Sequence, residues 1–192
     1  MTGNGTGPDG GAAWPPAVVA VAGVPGAGKT TLAEALAART GWRTVSRDIV
    51  RYAMFQPCTF TDIEKHASFD AVLLAVDGNI RLGHGCIVEG MPFSRVGELE
   101  RVAEIAHRAG VPSHAFLVDT PLAEAARRVG TDAGPEVGRD MSLDRVPSLV
   151  YDVAQRMRSF DETVVRLDGT LPPAELVAQA LAVIAAGRAI GG

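Results

Sequence analysis

AVVAVAGVPGAGKTT, residues 17–31, decides the reading of this chain. Its first half, AVVAVAG (17–23), is a wholly apolar run closed by glycine, the pattern of a strand buried on both faces of a parallel sheet. Its second half opens TTLAEALAART (30–40), where Leu32, Ala35, Leu36 and Arg39 recur at helical spacing and Gly41 is a natural stop. Between strand and helix, Gly23 to Thr30 matches G-x-x-x-x-G-K-[ST] at every fixed position, in the context that motif requires. Gly26 and Gly28 allow successive backbone N–H groups to turn inward around phosphate oxygens, and the helix beginning near Lys29 adds the positive end of its dipole. Gly23, Val24, Pro25, Gly26, Ala27, Gly28, Lys29, Thr30 and Thr31 are therefore expected to hold a nucleoside triphosphate. Lys29 is one of two lysines, with Lys65, beside sixteen arginines. A compact ammonium suits the position between β- and γ-phosphates, where a planar guanidinium does not fit the same cradle. The Thr30 hydroxyl is placed to meet Mg2+.

Outward from this stretch, strand-like and helix-like segments alternate. WRTVS (42–46) reads as a second strand and DIVRYAMF (48–55) as a short helix; residues 62–83 read as one helix or two. CIVEG (86–90) is another buried strand, residues 96–110 form a helix closed by glycine, and SHAFLVD (113–119) is a strand. Thr120 and Pro121 then supply an N-cap and a first helical residue for a helix through Arg128. A long helix starts near Pro147, TVVRLDG (163–169) is the last strand, and a proline pair opens the last helix. Five strands separated by helices predict a three-layer α/β fold with a five-stranded parallel sheet. GTDAGPEVGRDM (130–141) fits neither class and reads as a mobile lid.

At 192 residues the chain is sized for one domain. Residues 1–16 are Gly/Pro-rich and read as a disordered tail, 17–187 as the folded domain and 188–192 as a C-terminal tail. The first sixteen residues lack the basic start and apolar core of a signal peptide, and no apolar run approaches the ~18 residues of a membrane span. The expected location is cytoplasmic, with no membrane partner. A net charge of −4 gives no global basic field, which disfavours nucleic acid as the main partner. Cys58 and Cys86 form no CxxC pair and read as buried free thiols.

The nucleotide motif alone does not separate kinases, GTPases and motor ATPases. No N-K-x-D guanine motif is present, and the length is short for a motor or AAA-type ATPase. What remains is the small P-loop kinases. GVPGAGKTTLA followed by VSRDIVRYAMF resembles the polynucleotide-kinase-like group among them, in which an Asp-x-x-Arg pair follows the second strand; here that pair is Asp48 and Arg51. CIVEG resembles the group's second acidic strand, with Glu89 where Asp is more usual; zeta-toxin sugar-nucleotide kinases show a similar Glu-Gly, and antibiotic phosphotransferases are further relatives of this type. FLVDTPLAEAARRV and the segment after it resemble the lid region, and VRLDGTLPPAELV the closing strand and helix.

The resemblance implies a nucleoside-kinase-like P-loop fold using ATP and Mg2+. It implies Asp48 as general base for the acceptor hydroxyl, at the carboxyl end of a strand where open α/β sheets place their sites; an N-cap role is the bland alternative. Arg51, one turn on, would bind the acceptor or neutralise Asp48. Glu89 would contact Mg2+ or the acceptor. Arg127, Arg128 and Arg139 flank the lid, and Arg139, then Arg128, is expected to meet the transferred phosphoryl group. Arg95 and Arg81 flank the Glu89 strand within reach of an acceptor, Arg95 being retained as a substrate residue, and His66 stands in the acceptor helix.

The leading expectation is an ATP-dependent kinase acting on a hydroxyl of a small-molecule acceptor such as a nucleoside, sugar or antibiotic-like metabolite. A nucleic-acid 5′-hydroxyl comes second, because no basic groove or aromatic platform is visible. The competitors are a nucleoside-monophosphate kinase, with Arg51 gripping the acceptor phosphate and no need for a base, and a nucleotide-binding regulatory module that makes no phosphorylated product. Oligomeric state and acceptor identity stay open.

Overall fold

The computed structural model describes residues 13–131 and 146–187. Its strands are β1 (Val18–Ala22), β2 (Arg43–Ser46), β3 (Cys86–Glu89), β4 (Ser113–Asp119) and β5 (Val164–Asp168). Its helices are α1 (Lys29–Thr40), α2 (Arg47–Met54), α3 (Asp62–Arg81), α4 (Glu98–Arg108), α5 (Leu122–Thr131), α6 (Pro147–Arg156) and α7 (Pro173–Ala185). The strands form one sheet in the order β2-β3-β1-β4-β5. Every pairing is parallel, with Val18 opposite both Cys86 and Ser113 at the start of the central strand.

β1 is buried along its whole length because helices cover both faces of the sheet. Strand periodicity sends Val19 and Val21 to one face, where α1, α5, α6 and α7 pack, and Val18, Ala20 and Ala22 to the other, where α3 and α4 pack. The neighbours β1 and β3 therefore send their following helices to opposite faces. Between their carboxyl ends lies the crevice in which doubly wound sheets hold ligands.

Several boundaries differ from the sequence reading. Residues 62–81 form one unbroken helix, in which Asn79 binds the Ala75 carbonyl and accepts from Arg43 of β2. α5 continues past Arg128 to Thr131, so Gly130 and Thr131 belong to the helix; the rest of the segment read as a lid, from residue 132, lies outside the described residues, as do residues 1–12 and 188–192. α6 stops at Arg156, where Met157 turns extended and the Arg158 N–H reaches the Ser94 carbonyl. Trp14, within the stretch read as tail, packs edge-on against the buried Trp42 at a centroid distance of 6.3 Å. Among the described residues no helix is long and apolar enough to cross a membrane.

Candidate nucleotide and acceptor site

The turn from β1 to α1 is held from below. Thr120 donates its hydroxyl proton to the Ala27 carbonyl at 3.0 Å, so this residue, read as a helix cap, ties the end of β4 to the loop. Gly26 has φ +76°, and a Cβ there would run into the Ala125 carbonyl of α5. α1 begins at Gly28 without a side-chain cap, which leaves the positive end of the helix facing the crevice. Lys29 folds back so that Nζ donates to the Val24 carbonyl at 2.8 Å, across the loop that it would serve.

Opposite the loop, the ends of β2 and β3 bring in the carboxylates. Glu89 is buried and accepts a hydrogen bond from Thr30 Oγ1 at 2.8 Å. Asp48 is not the cap of α2, since that position is Ser46; it lies in the first turn, buried, with its Oδ1 3.1 Å from Arg51 Nη2. Arg51 is buried too, and its guanidinium lies 4.7 Å over the Phe60 ring. The helical i,i+3 spacing puts acid and base on one face, and burial removes the water that would screen them. Gly90, at φ +78°, lets β3 close on this corner: a Cβ would sit 2.7 Å from Ser46 Oγ and 3.0 Å from the Asp48 nitrogen.

Loop and corner share one cavity of about 460 Å³. Gly26, Gly28, Lys29, Thr30, Thr31, Asp48, Arg51, Arg95 and Arg128 of the expected residues line it, with Pro25. Gly23, Val24, Ala27 and Glu89 are not in the lining; Val24 and Glu89 touch it through Lys29 and Thr30. Arg128 donates to the Gly169 carbonyl at 3.1 Å and to Glu124 at 2.9 Å, and it borders Gly28, so it stands on the nucleotide side. Hydrogen bonds from Arg127 and then Arg128 pull the Glu124 carboxyl down to about 2, keeping it ionised beside both. Arg127 itself is spent on Glu124 at the surface, and Arg81 on Asp77. Arg139 lies outside the described residues.

The sequence reading missed Arg47, Lys65 and Arg156, which also line the cavity. Arg47 had a local signal, sitting next to Asp48 at the end of β2. Lys65 and Arg156 had none, because only the packing of α3 and α6 turns them toward the crevice.

The site suits ATP and Mg2+. The glycine cradle would be filled by side chains at Gly26, Lys29 closes over it, and the Thr30 hydroxyl with the Glu89 carboxylate is an all-oxygen pair at its edge. Mg2+ commonly takes one or two protein ligands and completes its shell with water and phosphate, and an oxygen pair of this kind fits that chemistry.

A family model described as "AAA domain" (AAA_33) matches residues 18–142. The chain belongs to this family. Length therefore does not separate this chain from a family of that description, contrary to the expectation from sequence. Among curated protein sequences, none matches significantly. In solved structures, this AAA_33 chain is similar to a sugar kinase from Janibacter sp. HTCC2649, at 20% identity and TM-score 0.68 over 88% of this chain and 95% of that one. The Mycobacterium tuberculosis APS kinase CysC, in complex with AMPPNP and APS, matches at 16% identity and TM-score 0.64, over 88% and 98%. Chaetomium thermophilum Kti12, in complex with ADP-AlF3, matches at 18% identity and TM-score 0.66, over 91% and 100%. At these identities the likeness is one of fold: a P-loop kinase-like sheet with helices on both sides.

Proposed function

We propose that this protein transfers the γ-phosphoryl group of ATP to a hydroxyl of a small-molecule acceptor. The observation that carries the reading is the buried Asp48–Arg51 pair, on the wall of the same cavity that the phosphate loop lines. A cavity of about 460 Å³ suits a metabolite. The neighbours named a sugar kinase and an APS kinase act in the same direction.

In this reading the Gly26–Thr31 backbone and Lys29 hold the triphosphate, and Lys29 draws charge from the phosphoryl oxygens. Thr30 and Glu89 would hold Mg2+, which screens the phosphates when bound. Asp48 accepts the proton of the acceptor hydroxyl as that oxygen attacks the γ-phosphorus; the bond to the β–γ bridging oxygen breaks and ADP leaves. Arg51 fixes the Asp48 carboxylate in place. Its guanidinium is paired with Asp48, stacked on Phe60 and only 3% exposed, and that burial speaks against its gripping an acceptor phosphate as a nucleoside-monophosphate kinase would require.

ADP release from Mg-ATP tests this, with Lys29→Ala as blank. Acceptor pools are offered separately: small hydroxyl metabolites, nucleoside monophosphates and 5′-hydroxyl oligonucleotides. Stimulation by the first pool, with kcat lowered about 10²–10⁴-fold in Asp48→Asn at unchanged nucleotide affinity, is expected. Stimulation by nucleoside monophosphates that survives Asp48→Asn, or nucleotide binding without phosphorylated product from any pool, would sink the reading.

A further inference from the structure

The cavity is far more cationic than the protein around it, which corrects the expectation from sequence that no basic groove is present. Seven lysine and arginine side chains line it against two carboxylates, in a chain of net charge −4. Lys29 and Arg128 belong to the nucleotide side by their contacts, and Arg51 is neutralised by Asp48. Of the four that remain, Arg47 and Arg156 come from α2 and α6, while Lys65 and Arg95 stand together with His66 on the first turns of α3 and the loop before α4.

This cluster is pre-arranged. His66 Nδ1 lies 2.7 Å from the Asp62 carbonyl, which accepts its proton; Nε2 is thereby left as an acceptor, and Arg95 Nη1 donates to it at 2.7 Å. Arg95 Nη2 donates to the Asp62 carboxylate at 3.0 Å, and Lys65 Nζ is 3.9 Å from the same oxygen. One carboxylate thus serves two cations. It stands outside the cavity lining while both cations form part of it. The hydrogen bond and charge of Arg95 hold the Asp62 carboxyl below its ordinary range, so it remains an anion that steadies the arm. Glu98, the nearer acid of the lining, accepts from the Arg95 backbone N–H and fixes the loop.

We infer that Arg95 and Lys65, oriented by His66 and Asp62, bind an anionic oxygen group, a carboxylate or phosphate, on the acceptor. The inference rests on the phosphotransfer reading and narrows its substrate class: the molecule carries the attacking hydroxyl near Asp48 and an anionic group that meets Arg95 and Lys65. The remaining N–H donors of a guanidinium and an ammonium presented to one cavity match the oxygens of such a group, and a neutral polyol offers them no charge.

The test is calorimetry on the full chain saturated with Mg-AMPPNP, so that the phosphate loop is filled. Glycerate, glycerol 3-phosphate and glycerol are titrated in turn. At least one anion is expected to bind tenfold or more tighter than glycerol. Arg95→Gln should abolish that difference while Mg-AMPPNP still binds, which shows a folded protein. Whichever anion prefers the wild type identifies carboxylate or phosphate. Anions that bind no tighter than glycerol, or an unchanged preference in Arg95→Gln, overturn the inference. A neutral acceptor found by ADP release overturns it too but leaves phosphotransfer standing. Arg95-dependent anion binding without any phosphorylated product leaves the subsite standing and removes the kinase.

Discussion

Replacing Arg51 with methionine removes a guanidinium but keeps an unbranched apolar stem against Phe60. Both charged side chains of this pair are inaccessible, 3% exposed for Arg51 and 12% for Asp48, so solvent cannot take over the lost interaction. Stripping one partner from a buried ion pair costs about 3–5 kcal/mol, because the remaining charge keeps its desolvation and loses its compensation. For a domain of this size each kcal/mol lowers Tm by about 2–4 °C, so Arg51→Met should melt roughly 6–20 °C below the wild type. Asp48→Asn should be destabilised for the mirror-image reason. The double variant should recover at least about 2 kcal/mol relative to the sum, since no unpaired charge is left inside. Urea unfolding at pH 7, followed by far-UV circular dichroism, measures all four proteins. A loss below about 1 kcal/mol in Arg51→Met, or strict additivity in the double variant, would refute the view that the acid depends on a buried cation.

Three further outcomes can be checked. Gly26→Ala should weaken Mg-ATP binding at least tenfold in a titration and cost about 1–3 kcal/mol of stability, because the new Cβ meets the Ala125 carbonyl at a positive φ. The Glu124 carboxyl is lowered from 4.5 to about 2, so its contribution to stability is complete above pH 4.5 and fades as pH falls toward 2; the wild-type advantage in Tm over Glu124→Gln should shrink across that window. Burial raises the Cys86 thiol to about 11, whereas Cys58, expected from sequence to be buried as well, is only half-buried because it sits in the loop after α2. Iodoacetamide at pH 8 should therefore leave one adduct, on Cys58, in the native protein and two in urea, read by mass spectrometry.

What the sequence disclosed about the site was local. The phosphate loop is a contiguous run whose flanking strand and helix have opposite periodicities, and Asp48 and Arg51 lie one helical turn apart, so both were readable from spacing. The Arg95–His66 contact joins residues 29 apart on different elements, and nothing short of the α3–α4 packing announces it. The same limit explains the elements that shifted. Trp14 reads as tail until Trp42 is placed beside it, and the end of α6 is set by a hydrogen bond from Arg158 to Ser94, more than sixty residues upstream. Thr120 and Pro121 have the composition of a helix start, yet the Thr120 hydroxyl is directed to a loop 93 residues earlier in the chain.

The bond from Thr120 to Ala27, the close seat of Gly169 on Thr120, and the hold of Arg128 on the Gly169 carbonyl lock β5 to the phosphate loop. The region matched by the family ends at residue 142, before β5 begins. That region cannot therefore serve as a self-sufficient module. Shortened to it, the chain would strip β4 of its neighbour, bare a run of unpaired backbone along an apolar rim, and invite strand exchange between molecules. Arg128 would keep Glu124 but lose the Gly169 carbonyl in the same cut. Solubility and nucleotide affinity would be lost together, because one strand guards both.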